Sequence, residues 1–310
     1  MLRSLYSGVS GMRSNQVKMD VIGNNIANVN TTAFKSGRAR FQDLFSQTLS
    51  SAQMPSSTGG GGINPKQVGL GVSVAAIDTV MTGGALQPTG RELDFAIEGD
   101  GFFVVSQDMA GAMKRYTRDG AFFTDYEGNL VNAEGLRVLG YKVDQLEDSD
   151  SDGIYEFDSS STGVVGPSDT SDDGSLNSIC IPNEIIVDGG ATISLESFSV
   201  DGSGLIQGIY SDGNVYELGQ IGIGKFKNPG GLEKLGGNTY LDSRNSGDLE
   251  VGVANGDGFG TIRQGVVEMS NVDLANEFTE MIITSRAYQA NSRTISTSDE
   301  MLQELLNLKR

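Results

Sequence analysis

The chain has 310 residues and a net charge of −18, with 43 glycines, one cysteine and neither histidine nor tryptophan. This length is enough for two or three domains with buried cores. Without histidine the usual proton carrier at neutral pH is missing, and a single cysteine excludes an internal disulfide framework. No stretch approaches the roughly 18 apolar residues of a membrane span, so we expect neither membrane insertion nor a cleaved signal peptide.

The first 30 residues carry apolar side chains at alternating spacings of three and four, which places them on one face of a helix. This predicted stripe consists of Leu2, Leu5, Val9, Met12, Met19 and Ile26, with Gln16 and Gly23 at the intervening steps. The helix is expected to end near residues 23–30, because the asparagines there tolerate the left-handed conformation that terminates helices.

The last 40 residues repeat the same spacing. Their stripe consists of Leu274, Phe278, Met281, Tyr288, Ile295, Leu302 and Leu306, with Ser285, Ser292 and Asp299 at the polar steps. We interpret both stripes as assembly interfaces, covered by the other terminal helix, by a neighbouring copy, or by both. An ordinary helical hairpin under a globular core is the alternative.

Both terminal segments are poor helix formers by intrinsic preference. Residues 284–298 are crowded with Ser, Thr and Asn, and Gly8, Gly11 and Gly23 each cost about 1 kcal/mol inside a helix. Such segments fray in isolation, so their helical state depends on burial against a partner.

Residues 31–71 and 266–271 are predicted to connect the helices to the rest of the chain. Residues 31–53 form a small amphipathic element, and the glycine-rich stretch 54–62 has the composition of a flexible loop.

A period of two begins at residue 72 and predicts an all-β domain from two separate segments, 72–144 and 193–265. The apolar runs around Phe102, Phe103, Phe122 and Phe123 are assigned to its core. Asp-Gly pairs at 100, 119, 201 and 212 are expected to form hairpin turns.

Residues 145–192 are predicted to form an acidic surface insertion, either a small outer domain or a loop. From residue 143 to 224 the chain has sixteen Asp and Glu and no Lys or Arg, whereas the remainder is nearly neutral. The neutral ends can pack against copies of themselves with little repulsion. No basic patch is present to neutralise phosphates, so nucleic acid is not expected as a partner.

The sharpest chemical motif is a run of alternating carboxylates, Asp148, Asp150 and Asp152, closed by Gly153. It resembles the first half of a calcium loop, but Ser159 stands where such a loop has a bidentate Glu. We keep it as a weak metal candidate beside a plain acidic turn. Cys180, between two isoleucines, is expected to be a buried inert thiol. With no catalytic constellation and no phosphate-binding loop in its proper context, we expect no enzyme activity and no cofactor.

Five stretches resemble the signatures of bacterial flagellar axial proteins, the rod and hook subunits. They are 10–35, 93–105, 116–123, 268–274 and 286–292. Within this family, the sequences of residues 271–278 and of the C-terminal residues 299–310, together with the position of the insertion, favour a hook subunit. The distal rod is the alternative.

The resemblance implies export through the flagellar type III apparatus without a cleaved signal, followed by polymerisation into a helical tube that transmits torque while it bends. It implies the rod, the hook cap and the hook–filament junction as neighbours, and the hook or basal body outside the cell as the location. Two readings from other classes stay open, a calcium-binding secreted adhesin and a hydrolase.

These observations together predict an α+β fold. The terminal helices, 1–30 and 272–310, pair as a coiled-coil-like core domain, and a discontinuous all-β domain carries the short acidic insertion.

Overall fold

The computed structural model describes residues 2–55, 61–108, 113–142, 146–147, 155–157, 176–187 and 191–308. The chain divides into two compact units. Unit 1 comprises Met1–Val29, Lys35–Val80 and Val272–Arg310, and unit 2 comprises Asn30–Phe34 and Met81–Asn271. The predicted combination of an N-terminal helix, a mostly β region and a C-terminal helix is confirmed.

Unit 1 contains both long helices and two antiparallel strand pairs, β1–β4 and β2–β3. The elements are α1 (Leu2–Ala27), β1 (Gly37–Asp43), β2 (Ser46–Ser50), β3 (Lys66–Gly69), β4 (Val72–Thr79) and α2 (Leu274–Leu308). The sequence assigned residues 72–79 to the all-β domain, but β4 pairs with β1 in unit 1.

The described residues of unit 2 form strands and one short 3-10 turn at Pro229–Gly231. The strands are β5 (Leu86–Pro88), β6 (Phe95–Glu98), β7 (Phe102–Ser106), β8 (Lys114–Thr117), β9 (Phe123–Thr124), β10 (Leu130–Val131), β11 (Arg137–Lys142), β12 (Leu146–Glu147), β13 (Tyr155–Phe157), β14 (Asn177–Ser178), β15 (Glu184–Val187), β16 (Ala191–Val200), β17 (Leu205–Tyr210), β18 (Val215–Lys225), β19 (Glu233–Gly236), β20 (Thr239–Leu241), β21 (Glu250–Val253), β22 (Thr261–Gln264) and β23 (Val266–Glu268).

One large sheet runs through unit 2 in the order β12-β13-β15-β16-β17-β18-β11-β7-β8-β20-β19. Strand β7 pairs with β11, β8 and β18 in this sheet, and all five of its residues are buried. Its alternate side chains belong to two separate apolar clusters, with Phe103 and Val105 in one and Phe102 and Val104 in the other. An uninterrupted apolar run therefore marks a strand covered on both faces, as expected for such a run.

The four Asp-Gly pairs have two different roles. Those at 201 and 212 join β16 to β17 and β17 to β18, which are antiparallel neighbours, so the hairpin prediction is confirmed there. It is wrong at 100 and 119, because β6 pairs with β22 and β9 pairs with β10. A Cβ at Gly101 would collide with Ile223, and one at Gly120 with the carbonyl of Phe95. These two glycines permit close packing of the backbone.

The predicted β-core aromatics mostly lie where expected. Phe102, Phe103 and Phe122 are buried, whereas Phe123 is exposed at the end of the sheet. Cys180 is buried, and its thiol donates a hydrogen bond to the carbonyl of Glu127 at 3.2 Å.

Candidate functional site

The two terminal helices of unit 1 lie side by side in opposite directions. The hydroxyls of Ser4 and Ser298 are 3.3 Å apart at one end, and the Asn25 amide donates a hydrogen bond to Glu277 Oε1 at 3.0 Å at the other. Because 21 residues separate the two contact points on each helix, the pair keeps one register over about 30 Å.

Glycines on α1 allow the two helices to approach closely. A Cβ placed on Gly8 would lie 3.1 Å from Ile295 Cγ1, and one on Gly11 would lie 2.6 Å from Asn291 Nδ2. The intrinsic helix penalty of these glycines is thus offset by the packing that they permit.

The predicted α1 stripe lies at the edge of the contact between α1 and α2. The most buried positions of α1 are next to the stripe, not part of it, with Ile22 as an example. Leu5, Val9, Met12, Met19 and Ile26 are half-buried, while Leu2 falls where only the backbone is described. The buried positions of α1 are Gly8, Gly11, Ser14, Ile22 and Asn25.

The buried side chains of α2 are those of Thr284 and Ser298. Each is adjacent in sequence to a predicted polar position of the stripe, Ser285 or Asp299. Met281, Ile295 and Leu302 are half-buried, and Tyr288 lies just on the exposed side. Leu274, Phe278 and Leu306 face solvent, with Phe278 49% and Leu306 69% exposed. The structure therefore divides the predicted stripe between the helix pair and the free surface of α2.

The free surface of α2 is rich in large apolar side chains. The exposed set is Leu274, Phe278, Ile282, Ile283, Met301, Leu305, Leu306 and Leu308. Soluble monomers rarely expose so much apolar surface on one element, and such surfaces mark contacts with other molecules.

A second apolar surface of unit 1 follows the β2–β3 ribbon, which sequence reasoning read as a connecting segment. Phe45 and Met54 are each 90% exposed, and Leu49 and Ile63 are also exposed. In the sequence, the signal that could have indicated this surface was the presence of isolated large apolar residues in a Ser/Gly-rich stretch. An isolated two-stranded ribbon is only marginally stable in water.

A buried amide fixes the start of α2 against α1 and β1. Asn25 donates to the Gly37 carbonyl at 2.9 Å and accepts from the Gly37 N–H at 2.9 Å, in addition to its bond with Glu277. Asp273 caps the first turn of α2 by accepting from the Ala275 N–H at 2.9 Å. A polar junction of this kind specifies register.

The Glu277 carboxyl at this junction has a raised pKa. Burial raises it most, the carboxylates of Glu280 and Asp273 add to the rise, and the Asn25 amide and the Lys18 ammonium oppose it. Lys18 Nζ lies 2.8 Å from Glu280 Oε2.

Because the pKa of Glu277 is higher in the folded state, pairing of the helices takes up a proton. We expect pairing to strengthen as the pH falls from neutral through that raised pKa, and to gain nothing further from this group below its unfolded pKa. Glu277→Gln should abolish that part of the pH dependence and strengthen pairing at pH 7, because the amide oxygen still accepts from Asn25. Helix content by circular dichroism, followed from pH 8 down to about pH 4, below the ordinary pKa of a glutamate, tests this. An unchanged pH profile in the variant would contradict it.

A buried ion pair lies in unit 2. Arg118 Nη1 lies 3.4 Å from Glu268 Oε2, and the guanidinium also donates to the carbonyls of Ile97 at 3.3 Å and Gly99 at 2.7 Å. Glu268 Oε1 accepts from the Gly84 N–H at 2.8 Å. The pair and its partners join four separate chain segments, at residues 84, 97–99, 118 and 268, and the pair borders a cleft of 660 Å³.

In the part of the chain that the structure describes, no three His, Cys, Asp or Glu residues are grouped in a way that would hold a metal ion. The calcium candidates Asp148, Asp150 and Asp152 lie outside the described residues. Neither α1 nor α2 has the length and apolar character needed to cross a membrane.

Family models match three stretches of the chain. They are a flagella basal body rod protein model at residues 5–35, the D1 domain of the flagellar hook protein FlgE/F/G at 96–208, and the C-terminal model of the flagellar basal body rod FlgEFG protein at 263–308.

Curated relatives agree with these models. The flagellar basal-body rod protein FlgG of Bacillus subtilis is 43% identical over 311 residues, covering 100% of both chains. The flagellar hook protein FlgE of Borreliella burgdorferi is 34% identical over 445 residues, again covering 100% of both. The hook protein FlgE of Helicobacter mustelae is 51% identical over 150 residues, which are 48% of this chain and 33% of that one.

Among solved structures, the hook protein FlgE2 of Helicobacter pylori matches with a TM-score of 0.23 and 16% identity, over 67% of this chain and 47% of that chain. The assignment therefore rests on the sequence relatives. The chain belongs to the family of flagellar hook and basal-body rod proteins and is a structural subunit of the flagellar hook or rod.

Proposed function

We propose that the chain is a hook subunit, which polymerises through its terminal helices into a helical tube and transmits torque while the tube bends. The observation that carries this proposal is the apolar outer surface of α2, which α1 leaves uncovered. A second copy is the simplest cover, because copies of one chain are present at high local concentration in a polymer.

The α1–α2 pair is proposed to act as the coiled-coil-like core of the tube, with the whole predicted stripe buried once neighbours are added. Helix α2 has 35 residues and is about 52 Å long, enough to contact several neighbours along the tube axis. Its Ser- and Thr-rich middle supports folding on assembly, because such a segment is weakly helical by itself.

The distal rod is the second candidate. The alignment with the Bacillus subtilis rod protein FlgG runs over 311 residues, nearly the length of this chain, whereas the alignment with the Borreliella burgdorferi hook protein runs over 445. The 51% identity with the Helicobacter mustelae hook protein favours the hook. Electron microscopy of purified tubes separates the two, because a hook forms curved tubes and a rod forms straight ones.

The remaining parts of the proposal follow from the family. The subunit passes unfolded through the type III export apparatus, and its neighbours are the rod, the hook cap and the hook–filament junction. It has no catalytic role, and the exposed side of the acidic segment 145–192 faces the outside of the tube. The segment is not wholly a surface insertion, because Ile179, Ile181 and Ile185 are buried in the core of unit 2. The Gly-, Ser- and Thr-rich composition of the terminal helices supports this route, because weakly stable ends unfold readily.

The central test is the change Met281→Asp on α2. Met281 is half-buried, so a carboxylate there would be desolvated without a partner once neighbours pack around it. We expect this variant, and likewise Leu302→Asp, to form no tubes in sedimentation and negative-stain electron microscopy.

The matched control is Val215→Asp, which places the same charge on an exposed apolar position of unit 2. It should form tubes as the wild type does. All three variants should keep the thermal unfolding of unit 2. Normal tubes of Met281→Asp, or the absence of wild-type tubes at any concentration, would refute the proposal.

A further inference from the structure

An open apolar groove of 430 Å³ lies in unit 1 between α1 and the strands beside it. Its apolar lining comes partly from α1 and partly from β4 and the loops next to the strands, and includes Tyr6, Val9, Val17, Leu44, Leu70 and Val72. All six side chains are exposed or half-buried. The Val72 N–H donates a hydrogen bond to Ser10 Oγ at 3.3 Å, which holds β4 against α1. We call this surface the α1 groove.

The α1 groove lies on the side of α1 that faces away from α2. Helix α2 packs against α1 at Ser4, Gly8 and Gly11. The α1 residues of the groove at positions 6, 10, 13 and 17 have the same spacing of three and four but come two residues later. Two residues correspond to about half a turn of a helix, so α2 of the same chain does not cover the groove.

A single charged residue, Arg13, is among those that line the α1 groove. Its side chain is exposed and forms no ion pair with any residue that the structure describes. Charge complementarity fixes the register of a contact, and a like charge opposite this cation would oppose binding. The α1 groove is therefore suited to a partner that carries a carboxylate beside a row of apolar side chains.

The last two turns of α2 have this character. Met301, Leu305 and Leu308 are separated by four and three residues, so they lie on one face of the helix, and all three are exposed. Glu304 lies three residues after Met301 and four before Leu308, which places its carboxylate at the border of this face. Glu304 is exposed and has no ion pair within the described part of the chain. We call these four residues the α2 tip.

We propose that the α2 tip of one subunit binds in the α1 groove of a second copy, with Glu304 paired to Arg13. This inference rests on the proposed polymer and names the surface that receives the end of α2. A helix that lays apolar side chains at positions i, i+4 and i+7 into an apolar groove is a recurrent mode of recognition. The α2 tip also continues the outer apolar surface of α2 that the proposed polymer buries.

The proposed contact is heterologous, because the tip and the groove are different surfaces of the same chain. Each subunit then offers one tip and one groove, so one contact can be repeated from subunit to subunit without closing on itself. Heterologous contacts of this kind build helical assemblies.

The test exchanges the two charges in the full chain. At about 0.1 M salt, Arg13→Glu and Glu304→Arg should each raise the critical concentration for tube formation about tenfold, and the double variant should return to within about threefold of the wild type. Because Lys309 and Arg310 follow the tip in the sequence, only this rescue identifies the partner of Arg13. Lys227→Glu, an exposed change of equal charge in unit 2, should behave as the wild type.

Salt and helix content separate this contact from other causes of failure. The effects of the single reversals should shrink at about 1 M salt, where the screening length falls to about 3 Å. An arginine near the C-terminus of a helix favours the helix, so Glu304→Arg should keep the helix content measured by circular dichroism.

Leu305→Ala tests the apolar part of the contact without a change of charge. Alanine keeps the helix propensity, and the loss of the anchor should raise the critical concentration about fivefold at both salt concentrations. Val215→Ala, which shortens an exposed side chain of unit 2, is the control and should have no effect.

Three results would overturn the inference and leave the proposed function standing. They are wild-type critical concentrations for both single reversals, single reversals that the double variant does not rescue, and an unchanged value for Leu305→Ala. If Phe45→Ala weakens assembly while all of these variants behave as the wild type, the β2–β3 ribbon rather than the α2 tip makes the contact, and the inference is wrong. The absence of wild-type tubes at any concentration would refute the inference together with the proposed function.

Discussion

Replacing Glu268 with alanine is expected to lower the free energy of unfolding of unit 2 by about 3–5 kcal/mol. Arg118 is 5% exposed and Glu268 is 2% exposed, so the pair is almost fully desolvated. An arginine cannot release its proton. Removal of Glu268 would leave this buried charge with the carbonyls of Ile97 and Gly99 and the Phe102 ring, but without a counter-charge at hydrogen-bond distance. The Gly84 N–H would lose its acceptor as well.

Urea unfolding of the full chain, followed by tyrosine fluorescence, measures this loss, because seven of the nine tyrosines lie in unit 2. Glu98→Ala is the control. Glu98 Oε2 lies 2.7 Å from Arg263 Nε, yet both side chains are more than half exposed, so its removal should cost less than about 1 kcal/mol. If Glu268→Ala and Glu98→Ala lower the free energy of unfolding equally, the buried Arg118–Glu268 pair stabilises unit 2 no more than an exposed ion pair does.

The sequence was most informative where apolar side chains alternate or run without interruption. The apolar run around Phe102 and Phe103 became the doubly buried strand β7, and the period of two in 193–265 includes strand β18 (Val215–Lys225). These patterns are local, and burial on one or both faces of a sheet is sufficient to explain them.

Strands that depend on a distant partner were not recognised. Strand β2, Ser46–Ser50, is polar and exposed, and it exists because it pairs with β3 some 20 residues later. Strand β1 likewise pairs with β4, which moves residues 72–79 out of the predicted all-β domain. The propensity of such segments is weak, so tertiary pairing decides their structure.

The terminal helices show a second limit of what the sequence can predict. The spacing located both helices and identified a set of apolar residues, but the side that faces the partner helix is set by Gly8, Gly11, Thr284 and Ser298. From the sequence alone, a glycine inside a helix is expected only to lower the stability of that helix. Only the structure shows that the other helix occupies the space that a side chain at this position would need.

The double change Gly8→Leu and Gly11→Leu is expected to abolish tube formation. Each leucine should favour the isolated helix by about 0.8–1 kcal/mol relative to glycine, so local propensity alone predicts a more stable protein. Packing opposes this gain, because the added Cβ atoms would lie 3.1 Å from Ile295 Cγ1 and 2.6 Å from Asn291 Nδ2, and the rest of each side chain has to displace α2. Overpacking costs about 1–3 kcal/mol at each site, and a shift of α2 also moves its outer apolar surface out of register with every neighbour.

Gly23→Ala separates the two effects within the same helix. A Cβ at Gly23 would have no described atom beyond the local helix backbone within 4 Å, so the change should add about 1 kcal/mol of helix stability and leave the helix pair intact. We expect normal tubes from Gly23→Ala and a helical but non-polymerising chain from the double leucine variant, measured by circular dichroism and sedimentation. If the double variant forms tubes at the wild-type critical concentration, the close approach of α1 and α2 is not required for assembly. If both variants fail, helix stiffness rather than the packed face of α1 controls polymerisation.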